Sequence, residues 1–493
     1  MKLHNILLIG CFMLSASGCS DYLDIQPKDK QSEEQLFATK GGFYSAANGI
    51  YNQMASPALY GANMSFEFLD IISLRYAPLQ TSTYYTALTK FNYADQRVDN
   101  EITAMWKYAY NTILNCNVVL QNLNDHPGIL NEKESSIMRG EMLAARAFLH
   151  FDMLRLFGPI YKLKPHAESI PYNESVEIKA LPYLPADELV QNKILRDLYE
   201  AESLMAGNDP VIENGPMASM EDDTEVYLRY RQLRFNYYTV LALCARVNLY
   251  IGDTEKALEY AKKLLDDPQV EKNFPAVDPN KLLANQSNPD RIFSSEVLMG
   301  VYKKDRKSIY DFYFDPEQAG SNFLQPRADF VDKFLFSGGT SDYRYQSQWQ
   351  VATGVGVKGH SFIKYKGIKG PDVNDKNSQY FYALMLPLVR LSEMYYIAAE
   401  SETELSKRYE WLNKIRAKRG LPALEVKAED DLMSNIRMEY LREFMGEGQI
   451  FYMYKRLCAD VIGAENGASQ WNAWFNNENT FVLPLPSDEI KNH

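Results

Sequence analysis

The stretch from Arg139 to Pro159 constrains the fold most, because it predicts a helix with two apolar flanks instead of one. At 100° per residue, two polar stripes separate these flanks. The stripes comprise Ser135, Arg139, Arg146 and His150 on one side and Glu141, Asp152 and Arg155 on the other. A helix with two apolar flanks must pack against a neighbour on each side. The pattern therefore predicts the middle helix of a stacked helical array, which Gly158-Pro159 ends because proline cannot continue a helix.

The start of the chain predicts export and lipidation. Residues 1–18 combine a basic start, an apolar run from Ile6 to Leu14 and small residues before Cys19, which is the pattern of a cleaved signal peptide. The small residues before Cys19 resemble a bacterial lipoprotein box, which implies a lipid on that cysteine; an ordinary secretory signal with an incidental cysteine is the alternative. Residues 19–40 are polar and predict a lipidated tether, in which Asp21 and Asp24 resemble the surface-export signal of Bacteroidetes lipoproteins. No later segment reaches about 18 consecutive apolar residues, so the lipid is the only membrane attachment that we predict.

Composition argues against several functions. The net charge is −12 and no basic run occurs, which argues against a nucleic-acid partner. The six histidines form no ligand cluster, and the chain lacks catalytic signatures such as GxSxG or HExxH, so we predict no metal, no cofactor and no enzymatic activity. His150 is interpreted as a structural hydrogen-bonding residue. Cys116, Cys244 and Cys458 are an odd number in predicted helices and are interpreted as free thiols.

Helical periodicity organises most of the chain. Residues 234–265 resemble a tetratricopeptide hairpin, with Ala257 and Ala261 where two helices would touch. A second hairpin is predicted over 388–404 and 408–419, followed by a helix over 428–457. A short strand is predicted at Val297–Tyr302. Several stacked hairpins predict a mainly α, solenoid-like scaffold.

Two aromatic stretches interrupt this pattern, at residues 75–99 and about 303–326, and we name them the first and second insertions. Long loops of this kind on a rigid scaffold commonly carry function. A sugar ring has apolar faces and polar edges, so its binding site needs flat aromatic rings beside hydrogen-bonding groups. The candidate ligand-binding residues are Asp70, Arg75, Tyr76, Tyr84 and Tyr85 at the first insertion, and Tyr310, Phe312 and Tyr313 at the second. The alternative is that Tyr84 or Tyr85 fills the scaffold beneath the loop.

Five stretches together resemble the SusD/RagB family of nutrient-binding outer-membrane lipoproteins: 36–51, 144–160, 390–402 followed by 412–422, 436–456 and 481–490. The resemblance covers nearly the whole mature chain and implies one SusD-like helical domain over residues 41–493. It also implies a surface lipoprotein that binds an oligosaccharide, or alternatively a peptide, and delivers it to a SusC-like TonB-dependent transporter. Gln449 departs from the family, which usually has arginine there. A tetratricopeptide-type assembly lipoprotein that binds only protein is the alternative function, although such an adaptor would not need long aromatic insertions.

Overall fold

The computed structural model describes residues 33–76, 82–177, 179–216, 226–284, 287–327, 329–337, 339–353, 359–368, 381–459, 461–462, 473–474 and 478–491. The predicted signal peptide, Cys19 and most of the predicted tether lie outside these residues.

Helices make up most of the described chain. The N-terminal half contains α1 (Glu33–Phe37), α2 (Lys40–Met54), α3 (Phe68–Ile72), α4 (Thr83–Thr89), α5 (Gln96–Asp125), α6 (Glu132–Phe157), α7 (Ala186–Leu189), α8 (Leu195–Met205) and α9 (Val211–Asn214). The C-terminal half contains α10 (Tyr237–Ile251), α11 (Thr254–Leu265), α12 (Pro268–Asn273), α13 (Arg306–Tyr313), α14 (Tyr343–Gln348), α15 (Leu391–Ser401), α16 (Leu405–Ala417), α17 (Glu429–Phe444), α18 (Gln449–Leu457), α19 (Glu478–Phe481) and α20 (Ser487–Lys491). A π-helical turn, Val190–Ile194, joins α7 to α8.

The longer helices pack side by side in a continuous stack. The order of neighbours is α2, α5, α6, α8, α10, α11, α15 and α16. The α10–α11 pair is the predicted tetratricopeptide-like hairpin, and its turn needs Gly252, whose φ is +84°. Ala257 and Ala261 are fully buried in α11, as expected where helices approach closely. The predicted mainly α scaffold of stacked hairpins is therefore confirmed.

Short antiparallel strand pairs connect the helical stack to its loops. The strands are β1 (Glu168–Pro171), β2 (Tyr183–Pro185), β3 (Val297–Tyr302), β4 (Trp349–Val351), β5 (His360–Phe362), β6 (Met385–Arg390), β7 (Val461–Ile462) and β8 (Ala473–Trp474). They pair as β1–β2, β3–β6, β4–β5 and β7–β8. The strand predicted at Val297–Tyr302 is confirmed, and its partner β6 leads directly into α15.

Three sequence predictions need correction. The helix predicted over 428–457 is two helices, because Gly446 and Gly448 adopt φ values of +84° and +71° and break the chain between α17 and α18. The insertions are also more regular than predicted. The first contains α4 and the start of α5, and the second contains α13, so residues 311–313 are helical instead of loop. Short helices of one or two turns carry too few residues for a clear period in an aromatic-rich sequence.

From Gly140 to Phe157 the central helix α6 is buried on every side, including Glu141, Arg146, His150, Asp152 and Arg155 of its polar stripes, whereas Ser135 and Arg139 are partly exposed. Glu141 accepts hydrogen bonds from the hydroxyls of Tyr51 and Tyr227 at 2.8 and 2.6 Å and pairs with Arg231. Burial lowers the pKa of His150 to about 3. Its Nδ1 lies 2.8 Å from the carbonyl oxygen of Arg146, and its Nε2 accepts the backbone N–H of residue 173 at 3.0 Å. The ring is thus neutral and holds two backbone segments together, which fits its structural interpretation.

Asp152 and Arg155, three residues apart in one polar stripe, form an ion pair along one face of α6, with Arg155 Nε 3.1 Å from Asp152 Oδ1. The hydroxyl of Tyr60 donates to the other carboxylate oxygen at 2.8 Å. Gln449, the departure from the family pattern, accepts a hydrogen bond from Arg155 Nη1 at 3.2 Å. The neutral amide of Gln449 therefore lies beside the Asp152–Arg155 ion pair, and the buried charge of Arg155 keeps its partners.

No helix among the described residues is both long enough and apolar enough to cross a membrane.

Replacing Phe148 with alanine should destabilise the protein by about 3–5 kcal/mol, because the lost ring leaves a cavity in a packed interior. The ring is 2% exposed and packs on Tyr60 and Phe235. The matched control is Phe312→Ala, since Phe312 is 55% exposed and should lose less than about 1 kcal/mol. Urea unfolding of both variants measures the difference. Equal losses would show that α6 is not the packing centre of the fold.

Candidate functional site

The two insertions meet at one carboxylate, that of Glu67, just before α3. The hydroxyl of Tyr85, from the first insertion, donates to Glu67 Oε1 at 3.2 Å, and the hydroxyl of Tyr313, from the second, donates to Oε2 at 2.9 Å. Tyr85 also donates to the carbonyl oxygen of Asn322 at 3.3 Å. We call Glu67, Tyr85, Tyr313, Phe312 and Arg97 the Glu67 junction. The structure thus brings together segments that are more than 200 residues apart in the sequence.

The electrostatics of the junction centre on a carboxyl that is easily protonated. Burial raises the pKa of Glu67 to about 7, although the two tyrosine hydroxyls and Arg97 favour the ionised form. Glu101 lies close enough to add to this upward shift and accepts a hydrogen bond from Asn63 at 2.8 Å. The guanidinium of Arg97 lies 4.5 Å from the ring centroid of Tyr84. Acidic, cationic and phenolic groups are therefore concentrated at the foot of the insertions.

The tyrosines of the first insertion are packed beneath the surface. Tyr76, Tyr84 and Tyr85 are only 2–3% exposed. The alternative, that these rings fill the scaffold beneath the loop, is thus the arrangement found, and an exposed stacking platform formed by them is not. Tyr84 and Tyr85 lie on α4 with both side chains buried, so the contact between their rings, with centroids 5.3 Å apart, is internal.

Asp70 and Arg75 are also interior groups. Asp70 accepts the backbone N–H of Gly446 at 2.6 Å and the hydroxyl of Tyr76 at 3.4 Å, and burial raises its pKa to about 7. Arg75 donates to the carbonyl oxygen of Ser73 at 2.8 Å and to the hydroxyl of Tyr454 at 3.3 Å. Both residues therefore join the first insertion to the C-terminal helices and are not presented to a ligand.

The second insertion is where the structure exposes an aromatic ring. Phe312 is 55% exposed on α13, and its ring packs edge-on against that of Tyr313 with centroids 4.8 Å apart. Tyr313 is partly buried and also contacts Phe66 edge-on at 5.2 Å. Tyr310 is buried, with Lys366 Nζ 5.6 Å from its ring centroid. Of the predicted aromatic residues, Phe312 alone is exposed.

Sequence reasoning missed Glu67 and Arg97. Glu67 precedes a helix of only five residues, and Arg97 lies in the first turn of α5. Neither belongs to a recognisable motif, and only the folded chain places them beside the aromatic rings. The only clue in the sequence is position, since Glu67 shortly precedes the first insertion and Arg97 lies near its end.

The junction has the chemistry of a binding surface. An exposed ring can stack on an apolar ligand face, and nearby Arg97 is exposed and can hydrogen-bond to polar edges. Among the described residues, no group of three or more histidine, cysteine, aspartate or glutamate side chains is placed to hold a metal ion.

Two family models match the chain. The model described as "SusD family" matches residues 352–492, and the model described as "Starch-binding associating with outer membrane" matches residues 21–209. A SusD-like protein of Formosa agariphila is 23% identical over 322 residues, which are 63% of this chain and 54% of that protein. This chain thus spans about half the length of that relative.

Solved structures share the fold. A SusD-like carbohydrate binding protein from Bacteroides vulgatus superposes with a TM-score of 0.69 and 19% identity, covering 92% of this chain and 96% of that one. A laminarin binding SusD-like protein superposes with a TM-score of 0.63 and 17% identity, covering 92% and 98%.

Replacing Glu67 with glutamine should change the pH dependence of stability. The folded-state pKa of Glu67 is about 7, above the ordinary value of 4.5. The stability from this group is therefore fully present below pH 4.5 and is lost as the pH rises through about 7. Glutamine cannot ionise, but it can replace the hydrogen bonds of Glu67. Its side-chain oxygen can accept from the hydroxyl of Tyr313, and its NH2 group can donate to the hydroxyl oxygen of Tyr85. The hydroxyl of Tyr85 can still donate to the carbonyl oxygen of Asn322.

We expect the free energy of unfolding of Glu67→Gln to match that of wild type at pH 5 and to exceed it by about 1 kcal/mol at pH 8. This difference is smaller than the whole pKa shift would give, because the side chain is partly exposed. Urea unfolding at both pH values measures this difference. The control is Glu410→Gln, on the exposed side of α16. A stability difference that is the same at pH 5 and pH 8 would contradict the assignment.

Proposed function

This chain belongs to the SusD/RagB family, and from that premise we propose that it is a non-catalytic, outer-membrane carbohydrate-binding protein whose ligand contacts the Glu67 junction. The observation that carries this proposal is the meeting of both insertions at Glu67, where the exposed ring of Phe312 packs against Tyr313.

The choice of carbohydrate over peptide is supported by what is known of similar proteins. One matching family model is described as starch-binding, and two structural neighbours are named for binding carbohydrate and laminarin. A polysaccharide ligand also suits the junction, because a single exposed aromatic ring can stack on one sugar while Arg97 and the partly buried Glu67 bond to hydroxyls.

Delivery to a transporter is the second part of the proposal. We infer that the protein is held at the outer membrane by a lipid on Cys19, faces the cell surface and passes its ligand to a SusC-like TonB-dependent transporter. Support comes from the lipoprotein-like start of the sequence and from the family description, which names association with the outer membrane.

The assembly-adaptor alternative shares the helical hairpins, since any tetratricopeptide-like stack can bind protein. The adaptor function does not explain why the exposed Phe312 lies beside the tyrosine hydroxyls and the partly buried carboxylate of Glu67. Proteolysis of intact cells separates the two functions, because a surface receptor is cleaved and a periplasmic adaptor is protected.

Phe312→Ala should weaken carbohydrate binding about fivefold or more, because stacking on an aromatic ring contributes roughly 1 kcal/mol beyond area burial. Calorimetry with laminarin oligosaccharides and maltoheptaose measures the affinity. The matched control is Tyr108→Ala, which removes an aromatic ring that is 47% exposed on α5, away from the junction. If Phe312→Ala binds as tightly as the control, the ligand does not stack at the junction.

Cys19→Ala should release the protein from membranes, because no other attachment is proposed. Fractionation of cells that lack the partner transporter measures the release, with Cys116→Ala as the control for loss of a thiol. A Cys19→Ala variant that still sediments with outer membranes would refute the lipid anchor.

A further inference from the structure

A second concave region lies away from the Glu67 junction, between two layers of the helical stack. It has a volume of about 430 Å³ and shares no lining residue with the junction. Helices α11 and α12 form one wall, and α15 and α16 form the other. The apolar lining includes Leu264, Val270 and Phe274. A cleft of this size falls in the range of small-molecule sites, which is about 300–1,000 Å³.

Two lysines give this cleft its charge, Lys414 in the last turn of α16 and Lys418 immediately after that helix. Lys414 Nζ lies 3.7 Å from the ring centroid of Trp411, and Lys418 Nζ lies 5.9 Å from that of Tyr395. The two rings are themselves in contact, with centroids 6.4 Å apart. Among the described residues, no carboxylate lies within ion-pair distance of either ammonium. A cation held over an aromatic face is already positioned, so less side-chain freedom is lost when an anion binds to it.

The acidic residues of the lining do not cancel this charge. Both carboxylate oxygens of Glu296 accept from Arg419, at 2.8 and 2.6 Å, and Oε1 also accepts the backbone N–H of Val277 at 2.9 Å. Glu271 is exposed at the rim, where water screens it. Of the lining charges that have no ion-pair partner among the described residues, two are the lysines and one is Glu271, so the cleft keeps a net positive charge.

The buried hydroxyl of Ser392 is a second observation, independent of the lysines, that points to a ligand. Its side chain lines the cleft, the residue is only 1% exposed, and its hydroxyl has no hydrogen-bond partner. A buried hydroxyl without a partner costs free energy unless something bonds to it. Ser392 also lies in the first turn of α15, an end that no side chain caps and where a negative group is favoured.

We propose that this cleft binds an acidic sugar, whose anionic group contacts Lys414, Lys418 and the hydroxyl of Ser392 while its ring packs on Tyr395 and the apolar wall. The charge, the aromatic surface and the unpartnered hydroxyl each match one part of such a ligand. Carboxylate on a uronic acid and sulfate on a sulfated sugar share this chemistry. The site is separate from the Glu67 junction and does not depend on the ligand bound there.

The test measures binding to the detergent-solubilised full chain by calorimetry and by the fluorescence of Trp411, with Trp411→Phe to identify its signal. The probes are trigalacturonate, a sulfated galactose trisaccharide and the uncharged galactotriose. We expect saturable binding of one or both charged probes, which identifies the anionic group, and at least tenfold weaker binding of galactotriose.

The double variant Lys414→Gln/Lys418→Gln should weaken binding of the charged probe at least tenfold. Lys407→Gln is the control, because Lys407 lies on the same helix but is 54% exposed and paired with Glu404 at 2.9 Å. Phe312→Ala should leave this binding unchanged, which distinguishes the cleft from the junction. Equal affinity for galactotriose, or a double variant that binds like wild type, would overturn the proposal.

Discussion

The buried ion-pair network around Glu443 holds the C-terminal half of the structure together. This carboxylate of α17 accepts hydrogen bonds from Arg344 of α14, Arg390 at the end of β6 and Arg419 just after α16, at 2.5–3.0 Å. Burial alone would raise the pKa of Glu443, but Arg419 and Arg390 hold it well below its usual range. Removing one member of such a network leaves a buried charge without a partner, which costs about 3–5 kcal/mol. The network thereby fixes the positions of four separate elements relative to one another.

The same principle positions the central helix. From Gly140 onward the polar residues of α6 are buried, and Glu141, His150, Asp152 and Arg155 each bond to a group on another element or on their own helix. At its C-terminal end, Lys455 Nζ donates to the carbonyl oxygens of Leu156 and Gly158 at 3.3 and 2.7 Å. This amino group satisfies carbonyls that the helix itself cannot bond, and burial lowers the pKa of Lys455 well below its usual range. Helix α6 is therefore fixed in rotation as well as in place.

This rigid scaffold explains why both candidate sites can hold their side chains in defined positions. The Glu67 junction joins two insertions through the hydroxyls of Tyr85, whose ring is buried, and Tyr313, whose ring is partly buried, so its geometry is set by the residues packed beneath it. In the cleft between α11–α12 and α15–α16, Lys414 lies over the ring of Trp411 on its own helix and Lys418 over the ring of Tyr395 on α15. In both places aromatic residues position charged groups, and Phe312 is the ring left free to contact a ligand.

The sequence by itself determined the helical stack, the hairpin at residues 234–265, the strand at Val297–Tyr302 and the family. These follow from local periodicity, turn glycines and ordered motifs, which need no knowledge of distant contacts. Tertiary structure decided which aromatic residues are exposed. Tyr84 and Phe312 occur in similarly aromatic segments, yet one is buried and the other is not, because burial depends on the neighbours that the fold supplies. It also decided that Glu67, isolated in the sequence, joins the two insertions, since a hydrogen bond between residues 246 positions apart leaves no local pattern.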